Sequence, residues 1–438
     1  MYFSLDVRRA RKGDCMLLHF GTDDDPGLIL VDGGPSQVYK PHLRPRLEEI
    51  REARGLAANE QLPVDLLMVS HVDDDHIRGL LELSAEEKNL KRDQEPQLLD
   101  VLSFWHNSFD AIVDAATVPL TAAMGSHFGA ASLAAGSVLS EDDVLEVQCF
   151  SEEGDEVVES GLKVLASIEQ GYQLREDARY LGWSNQEFDD GLIIAELGGT
   201  VLSMGKKLNL TVAGPMESEL LKLRSEHNKW VEKMEQEGKP LPEALAAYVD
   251  RSVANLSSIV VLAEVEGMTM LLTGDARGDK IIEGLQLTNM LGPETDSTMK
   301  VNVLKVPHHG SSANLMLEFF QRIIADHYVF SGNGEHGNPE RESLEMVWNA
   351  RGDAKYTIHL TYPIDELDLE REKDWQKGQS TDRKKKEKDP NKEVRPDWSP
   401  EKHSLKSFLK DNPVFAKKIK VVDHVKPHLI NLLDNVDF

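Results

Sequence analysis

The stretch Val64-Asp65-Leu66-Leu67-Met68-Val69-Ser70-His71-Val72-Asp73-Asp74-Asp75-His76 decides how this chain is read. An apolar run of strand length ends at His71, and Ile77, Leu80 and Leu81 then recur at helical spacing. His71, Asp73, Asp75 and His76 therefore sit on a loop between a strand and a helix, where four side chains can be aimed at one point. Imidazole and carboxylate donors suit Zn²⁺, Mn²⁺ or Fe²⁺, and the carboxylate share favours harder ions than a thiolate site would. The competing reading is a solvated acidic loop, with Asp capping the helix. Asp74 is expected to face solvent.

Two later segments repeat the architecture. Asp275 ends the apolar run 269–275, and His308-His309 follows the run 301–306, just before Gly310-Ser311-Ser312. An aspartate at a strand end is usually a turn residue, and a His-His pair is often a surface loop. Three ligand-bearing strand ends together point to a metal pocket built at the edge of a sheet.

Outward from these segments, strands are expected at 3–7, 15–20, 27–32, 98–105, 162–168, 208–214, 257–265, 326–331 and 356–363. Helices are expected at 41–56, 276–290, 313–324 and 341–350, and a long charged one at 217–239 carrying Leu220, Leu221, Leu223 and Trp230. Residues 109–250 read as a largely helical insertion. The segment 364–400, with a charged, proline-containing stretch at 371–400, reads as a mobile linker, and 401–438 as a small C-terminal element.

With 438 residues and 40% hydrophobic content, the chain can bury a full core. Cys15 and Cys149 are too few for a disulfide framework. The opening residues lack the apolar run of a signal peptide, so a soluble, cytoplasmic protein without membrane partners is expected. A net charge of −27 makes the average surface repel polyanions, which argues against strong binding of free duplex DNA. Bound cations reverse that field only locally.

The ordered motifs Val31-Asp32-Gly33-Gly34, Ser70 to His76, Leu271-Leu272-Thr273-Gly274-Asp275 and Val306-Pro307-His308-His309-Gly310-Ser311 resemble the metallo-β-lactamase superfamily. They are most similar to the hydrolase branch found in DNA-uptake competence proteins of the ComEC type. Gly13-Asp14, Asn255 and Ser258 are further matches, and the resemblance covers residues 1–363. It implies an α/β fold of αββα sandwich type with one or two divalent metal ions, zinc or manganese, at one edge. It also implies that His71 and Asp73 serve one metal, Asp75 and His76 the other, and that Asp275 bridges them; of the His-His pair, His308, first after the strand, is expected as the further ligand, with His309 behind it and outside the metal. Asp32 would orient a histidine from outside the metal.

The histidine that the superfamily usually supplies between the first motif and the bridging aspartate has no match, His106 being the best candidate and more suited to a pocket wall. Asn338, in Gly337-Asn338-Pro339, stands where that branch carries a histidine. Asp75, His309 and His336 are the expected catalytic residues, with His359 as another proton donor, and Ser311 and Ser312 either hold a phosphate or only make a turn.

The implied activity is metal-dependent hydrolysis by a hydroxide formed near neutral pH. The substrate would be a small or short phosphodiester, as for a phosphodiesterase or nuclease. Alternatives are ester, lactone or amide hydrolysis, or a metal-stabilised regulatory protein that binds a protein partner through the insertion or the C-terminal extension.

Overall fold

The computed structural model describes residues 1–57, 59–108, 111–112, 156–189, 191–222, 224–225, 257–423 and 426–436, with the backbone alone at 156–168. Most of the expected insertion, the 217–239 helix beyond residue 225, Asn255 and Cys149 lie outside the described residues.

The first half supplies β1 (Tyr2–Val7), β2 (Met16–Gly21), β3 (Pro26–Val31), β4 (Leu62–Val64), β5 (Leu66–Met68), β6 (Leu99–Val101) and β7 (Phe104–Trp105). It also supplies helices α1 (Arg44–Ala53), α2 (Asp74–Arg92) and α3 (Glu156–Leu181). The second half adds β8 (Val201–Ser203), β9 (Asn209–Gly214), β10 (Val260–Val265), β11 (Met268–Leu272), β12 (Met299–Lys305), β13 (Ile323–Phe330), β14 (Thr357–Leu360), β15 (Ile419–Val421) and β16 (Leu429–Asn431). Its principal helices are α4 (Gly278–Leu287), α5 (Leu317–Arg322), α6 (Arg341–Arg351) and α7 (Ile364–Lys388).

The result is a mixed α/β fold with two large sheets. One has six strands in the order β16-β1-β2-β3-β5-β7, the other eight in the order β15-β14-β13-β12-β11-β10-β9-β8. Alternation along each strand divides the buried residues among three cores. Phe3, Leu5, Leu18 and Ile29 of the first sheet meet Val261, Ala263, Met270 and Val303 of the second. Leu17, Leu28 and Leu30 point the other way, onto Leu47, Ile50, Ile77 and Leu80 of α1 and α2. Leu262, Leu271 and Leu304 point onto Ile281, Leu285, Phe319 and Leu344 of α4 to α6. Helices, sheet, sheet, helices is the resulting order of layers. Strands covered on both faces carry near-continuous apolar runs, which is why they stood out in the sequence.

Several expectations need correction. Residues 162–168 are helical, within α3. A short apolar run fits a strand or a buried helix equally well, and here the helix continues to Leu181. The run 98–105 is two strands, β6 pairing with β4 and β7 with β5, and 62–68 is divided in the same way. Asp74 is buried, not exposed, and accepts a hydrogen bond from Gln170 of α3 at 2.9 Å.

The segment read as a charged linker is largely helix α7, and the chain folds back along it. Leu367 and Arg371 are buried, Arg371 Nε donates to the Gly337 carbonyl at 3.0 Å, and Trp375 Nε1 donates to the Pro396 carbonyl at 2.8 Å. Arg395 pairs with Asp382 at 2.7 Å. A few anchors hold a segment whose average composition reads as unstructured. The C-terminal stretch places β15 on the edge of one sheet and β16 on the edge of the other. Among the described residues no helix is long and apolar enough to cross a membrane.

Candidate metal centre

Strands β11 to β14 run parallel, as do β3, β5 and β7, so within each set the C-terminal ends share one edge. Asp32 follows β3, Ser70 and His71 follow β5, Asp275 follows β11, His308 and His309 follow β12, and Ser331 follows β13. Ends of parallel strands are where α/β folds assemble sites.

Gly274 lets two of these ends approach: its φ is +49°, and a Cβ there would lie 2.8 Å from Cβ of Ser70. His308 and His309 also have left-handed backbones, with φ of 49° and 54°. Such a conformation is unfavourable for residues with a side chain, and clusters of it mark functional sites. Here it brings both imidazoles to one carboxylate oxygen: Oδ2 of Asp275 lies 3.6 Å from His308 Nε2 and 3.4 Å from His309 Nε2.

The remaining groups close around the same carboxylate. His76 Nε2 is 3.3 Å from Asp275 Oδ1 and 3.3 Å from His309 Nε2. Asp75 reaches His309 Nε2 at 3.5 Å and His76 Nε2 at 3.8 Å. His71 Nε2 is 3.5 Å from Asp73 and 3.8 Å from Asp275 Oδ2. Asp73 holds the N-cap position of α2, yet its side chain makes no capping hydrogen bond, so capping does not explain it.

Ligand atoms about 2.0–2.2 Å from a tetrahedral ion lie about 3.4 Å from one another, so the spacing fits a metal such as zinc. The hydrogen-bond pattern agrees: His71 Nε2 and Asp275 Oδ1 are buried and have no hydrogen-bond partner among the described residues. An orphaned buried acceptor is costly unless an unseen ion or water satisfies it. Two groups of side chains hold ligand atoms mutually within 4.8 Å: Asp14, His76, Asp275 and His309, and His71, Asp75 and His76.

Asp14 has partners of its own. It accepts a hydrogen bond from Ser331 Oγ, and Lys305 Nζ lies 2.5 Å from its other oxygen. Ser331 Oγ is in turn 3.0 Å from His309 Nδ1. Asp32 takes the other histidine: its Oδ2 lies 2.8 Å from His76 Nδ1, and it accepts from the Ser70 amide and hydroxyl, each at 2.7 Å. Outer partners of this kind fix ring orientation and leave Nε2 facing inward.

Burial disfavours charge on His76 and His309, but the carboxylates outweigh it and raise both pKa values well above the usual range. For His76 these are Asp275, Asp32 and Asp75; for His309, Asp275 and Asp14. Burial likewise opposes ionisation of Asp75 and Asp275, and the histidines hold both carboxyls below their usual range. Such a cluster binds positive charge, whether protons or a metal.

His71, Asp73, Asp75, His76, Asp275, His308 and His309 are thus brought together. His336 is not: it is exposed in the turn Glu335–Gly337. His359 lies elsewhere, 3.0 Å from His327 Nδ1 and 2.8 Å from His428 Nε2. His106 Nε2 is 3.1 Å from the Gly171 carbonyl of α3, as suits a wall residue. The Ser312 hydroxyl donates to Glu340 and is not directed at the cluster. Lys305 was missed, although a lysine inside the apolar run before His308 was a visible signal.

The fold and site define a mixed α/β protein with buried His/Asp groups able to hold a metal ion. No family profile matches the chain. A stretch of 120 residues, 26% of the chain, is 31% identical to ComE operon protein 3 of Bacillus subtilis (strain 168) and spans 14% of that protein. The crystal structure of a protein of unknown function from Enterococcus faecalis V583 aligns with 83% of this chain and 71% of its own, at 8% identity and a TM-score of 0.27. That likeness is too low to carry an argument.

Proposed function

We propose that the chain is a metal-dependent hydrolase of metallo-β-lactamase type that cleaves a small or short phosphodiester. The observation that carries this reading is the convergence of His71, His76, His309, Asp75 and Asp275 from separate strand ends at 3.3–3.8 Å spacing. The sandwich order of layers and the local identity to ComE operon protein 3 support it. Zinc or manganese, when bound, supplies Lewis acidity and lowers the pKa of water.

The chain's own residues do the rest. Asp32 and Ser331 hold the outer nitrogens of His76 and His309. Lys305 balances Asp14 within the buried layer. The side chains of Asp73, Asp75 and His308 are 31%, 21% and 28% exposed, whereas His71, His76, Asp275 and His309 are closed off, so substrate enters past the first three. Asp75 is held ionised by its histidine neighbours, which suits it to orient an attacking water by accepting a hydrogen bond, not to take its proton. The acidic surface favours a small or short phosphodiester, or a nucleic acid presented by a basic protein partner.

Protein purified without chelator and supplied with Mn²⁺ or Zn²⁺ is expected to hold metal and to hydrolyse a generic aryl phosphodiester faster than an aryl ester. Asp275→Ala should lose both metal and turnover. A wild-type chain that stays metal-free under these conditions overturns the reading; faster ester cleavage redirects it to the ester class.

A further inference from the structure

Arg8-Arg9-Ala10-Arg11-Lys12 gathers basic residues in a chain whose net charge is −27. Both β1 and β3 are antiparallel to β2, so β1 ends at the same edge as β3, and this loop emerges beside the His/Asp cluster. Its far end enters the cluster as Asp14, whose amide donates to the Asp75 carbonyl at 3.2 Å. Gly13 is pressed against the same carbonyl, and a Cβ there would collide with it. The cations are thereby tied to Asp75, one of the three groups past which substrate enters.

From Asp14 back to Arg9 the loop crosses successive strand ends of the eight-stranded sheet. Asp14 meets Ser331, after β13. The Arg11 amide donates to the Tyr362 hydroxyl, after β14, at 2.9 Å. Arg9 lies over the Tyr362 ring, 5.0 Å from its centre, and its Nη2 donates to the Val422 carbonyl, after β15, at 3.1 Å. Neighbouring strands are about 4.8 Å apart, so Arg11 and Arg9 stand roughly 5 and 10 Å beyond Ser331, in single file leading away from the cluster. Arg11 contacts the Ser36 carbonyl through Nη1 at 3.5 Å and Glu335 through Nη2 at 3.3 Å, its ion pair being 32% and 31% exposed. A pair so open to water contributes little. Among the described residues Arg9 meets no carboxylate, and Lys12 adds its charge beside Glu335.

We propose that this row is a track for the phosphates that flank the scissile one, so that the substrate is a short single-stranded oligonucleotide and not an isolated phosphodiester. Arg11 takes the first flanking phosphate in place of Glu335, and Arg9 takes the next. The arginine fork of N–H donors matches phosphate oxygens, and single file fits one sugar–phosphate backbone.

For turnover the inference rests on the phosphodiesterase reading, whereas binding tests it separately. A hydrolysis-resistant phosphorothioate oligothymidylate is titrated into the full chain, supplied with Mn²⁺, at several salt concentrations. An aryl phosphodiester serves as the single-phosphate reference, and wild type should bind the oligothymidylate more tightly. In Arg9→Ala, Arg11→Gln and the double variant, the slope of log affinity against log salt should shrink by about 0.7 for each arginine removed. Metal content should not change. Glu335→Gln should tighten binding, because it removes the competitor for Arg11, a result that a merely structural ion pair would not give. With a cleavable oligothymidylate, Arg11→Gln should raise KM more than it does for the aryl phosphodiester. If Arg9→Ala fails to fold, Arg11→Gln, which keeps its backbone bond to Tyr362, carries the test.

Oligothymidylate binding that is absent, or that neither arginine variant weakens, would overturn the track and leave the hydrolase reading standing wherever metal and turnover persist. Equal competition by polyglutamate would assign the row to an acidic protein segment and overturn it as well. A chain that takes up no metal and cleaves nothing defeats the hydrolase reading, while arginine-dependent, salt-dependent binding of the oligothymidylate would still support the track.

Discussion

Among the described residues, two groups of histidines have been driven to opposite states. In the strand-end cluster, carboxylates alternate with imidazoles, and His76 and His309 are held well above their ordinary pKa. In the chain His327, His359 and His428, rings contact rings. Burial, then His428, His327 and Lys420, push His359 down to about 2. Asp326 and Asp6 raise His327 and His428 only in part, and burial still lowers both. Burial is common to the two groups, so it is the carboxylates that decide. One group is a receptacle for positive charge, the other a neutral stitch between β13, β14 and the residues before β16.

The largest effect should come from removing the central carboxylate. Asp275→Asn is expected to strip the cluster of metal, because every described histidine in it approaches that side chain. Elemental analysis after dialysis reads the result, and full retention of metal would break the comparison. Removing an outer carboxylate should do less. Asp32→Asn frees His76 Nδ1, and metal affinity should fall about 10–100-fold with the fold intact, as measured by competition with a chelating dye.

The neutral chain should respond to acid. Histidine in the unfolded chain titrates near 6.5 and His359 in the fold near 2, so its contribution to stability is complete above about pH 6.5 and is lost as pH falls toward the folded value. The loss is about 1.4 kcal/mol per pH unit below about 6.5. It is readable as the difference in melting temperature between pH 7.5 and 5.5, and His359→Leu should reduce that difference. Smallest is the effect of Lys420, which lowers all three rings from an exposed position. Lys420→Gln should lessen the acid sensitivity by a few tenths of a kcal/mol, and added salt should mask the change.

Much of the strand-end His/Asp cluster could be read from local sequence, because each of its segments follows an apolar strand and the parallel arrangement does the gathering. Its supports could be read only in part: Asp32 was expected beside a histidine, but the way Asp14 is held was not. Asp14, Lys305 and Ser331 belong to three distant segments, and nothing local says that Ser331 will reach Asp14 across 317 positions. The exposure of Asp74 was misjudged because Gln170, its partner, arrives on a helix whose apolar run resembles a strand. Helix α7 was hidden for a different reason. Its charges dominate the composition, while its docking depends on a few anchors spread along it, among them Leu367, Asp368, Arg371, Trp375 and Asp382.

The pairing of β16 with β1 bears on how the chain is made. Ser4 faces Asn431 across this pair, a separation of 427 residues. At about 5–20 residues per second, synthesis leaves the outer edge of β1 unpaired for roughly 20–90 s. Throughout that interval the nascent six-stranded sheet presents open backbone donors and acceptors flanked by Phe3 and Leu5, a template for pairing with another chain. Aggregation during expression should therefore depend on translation speed and on chaperones that shield strand edges more than on the stability of the finished protein.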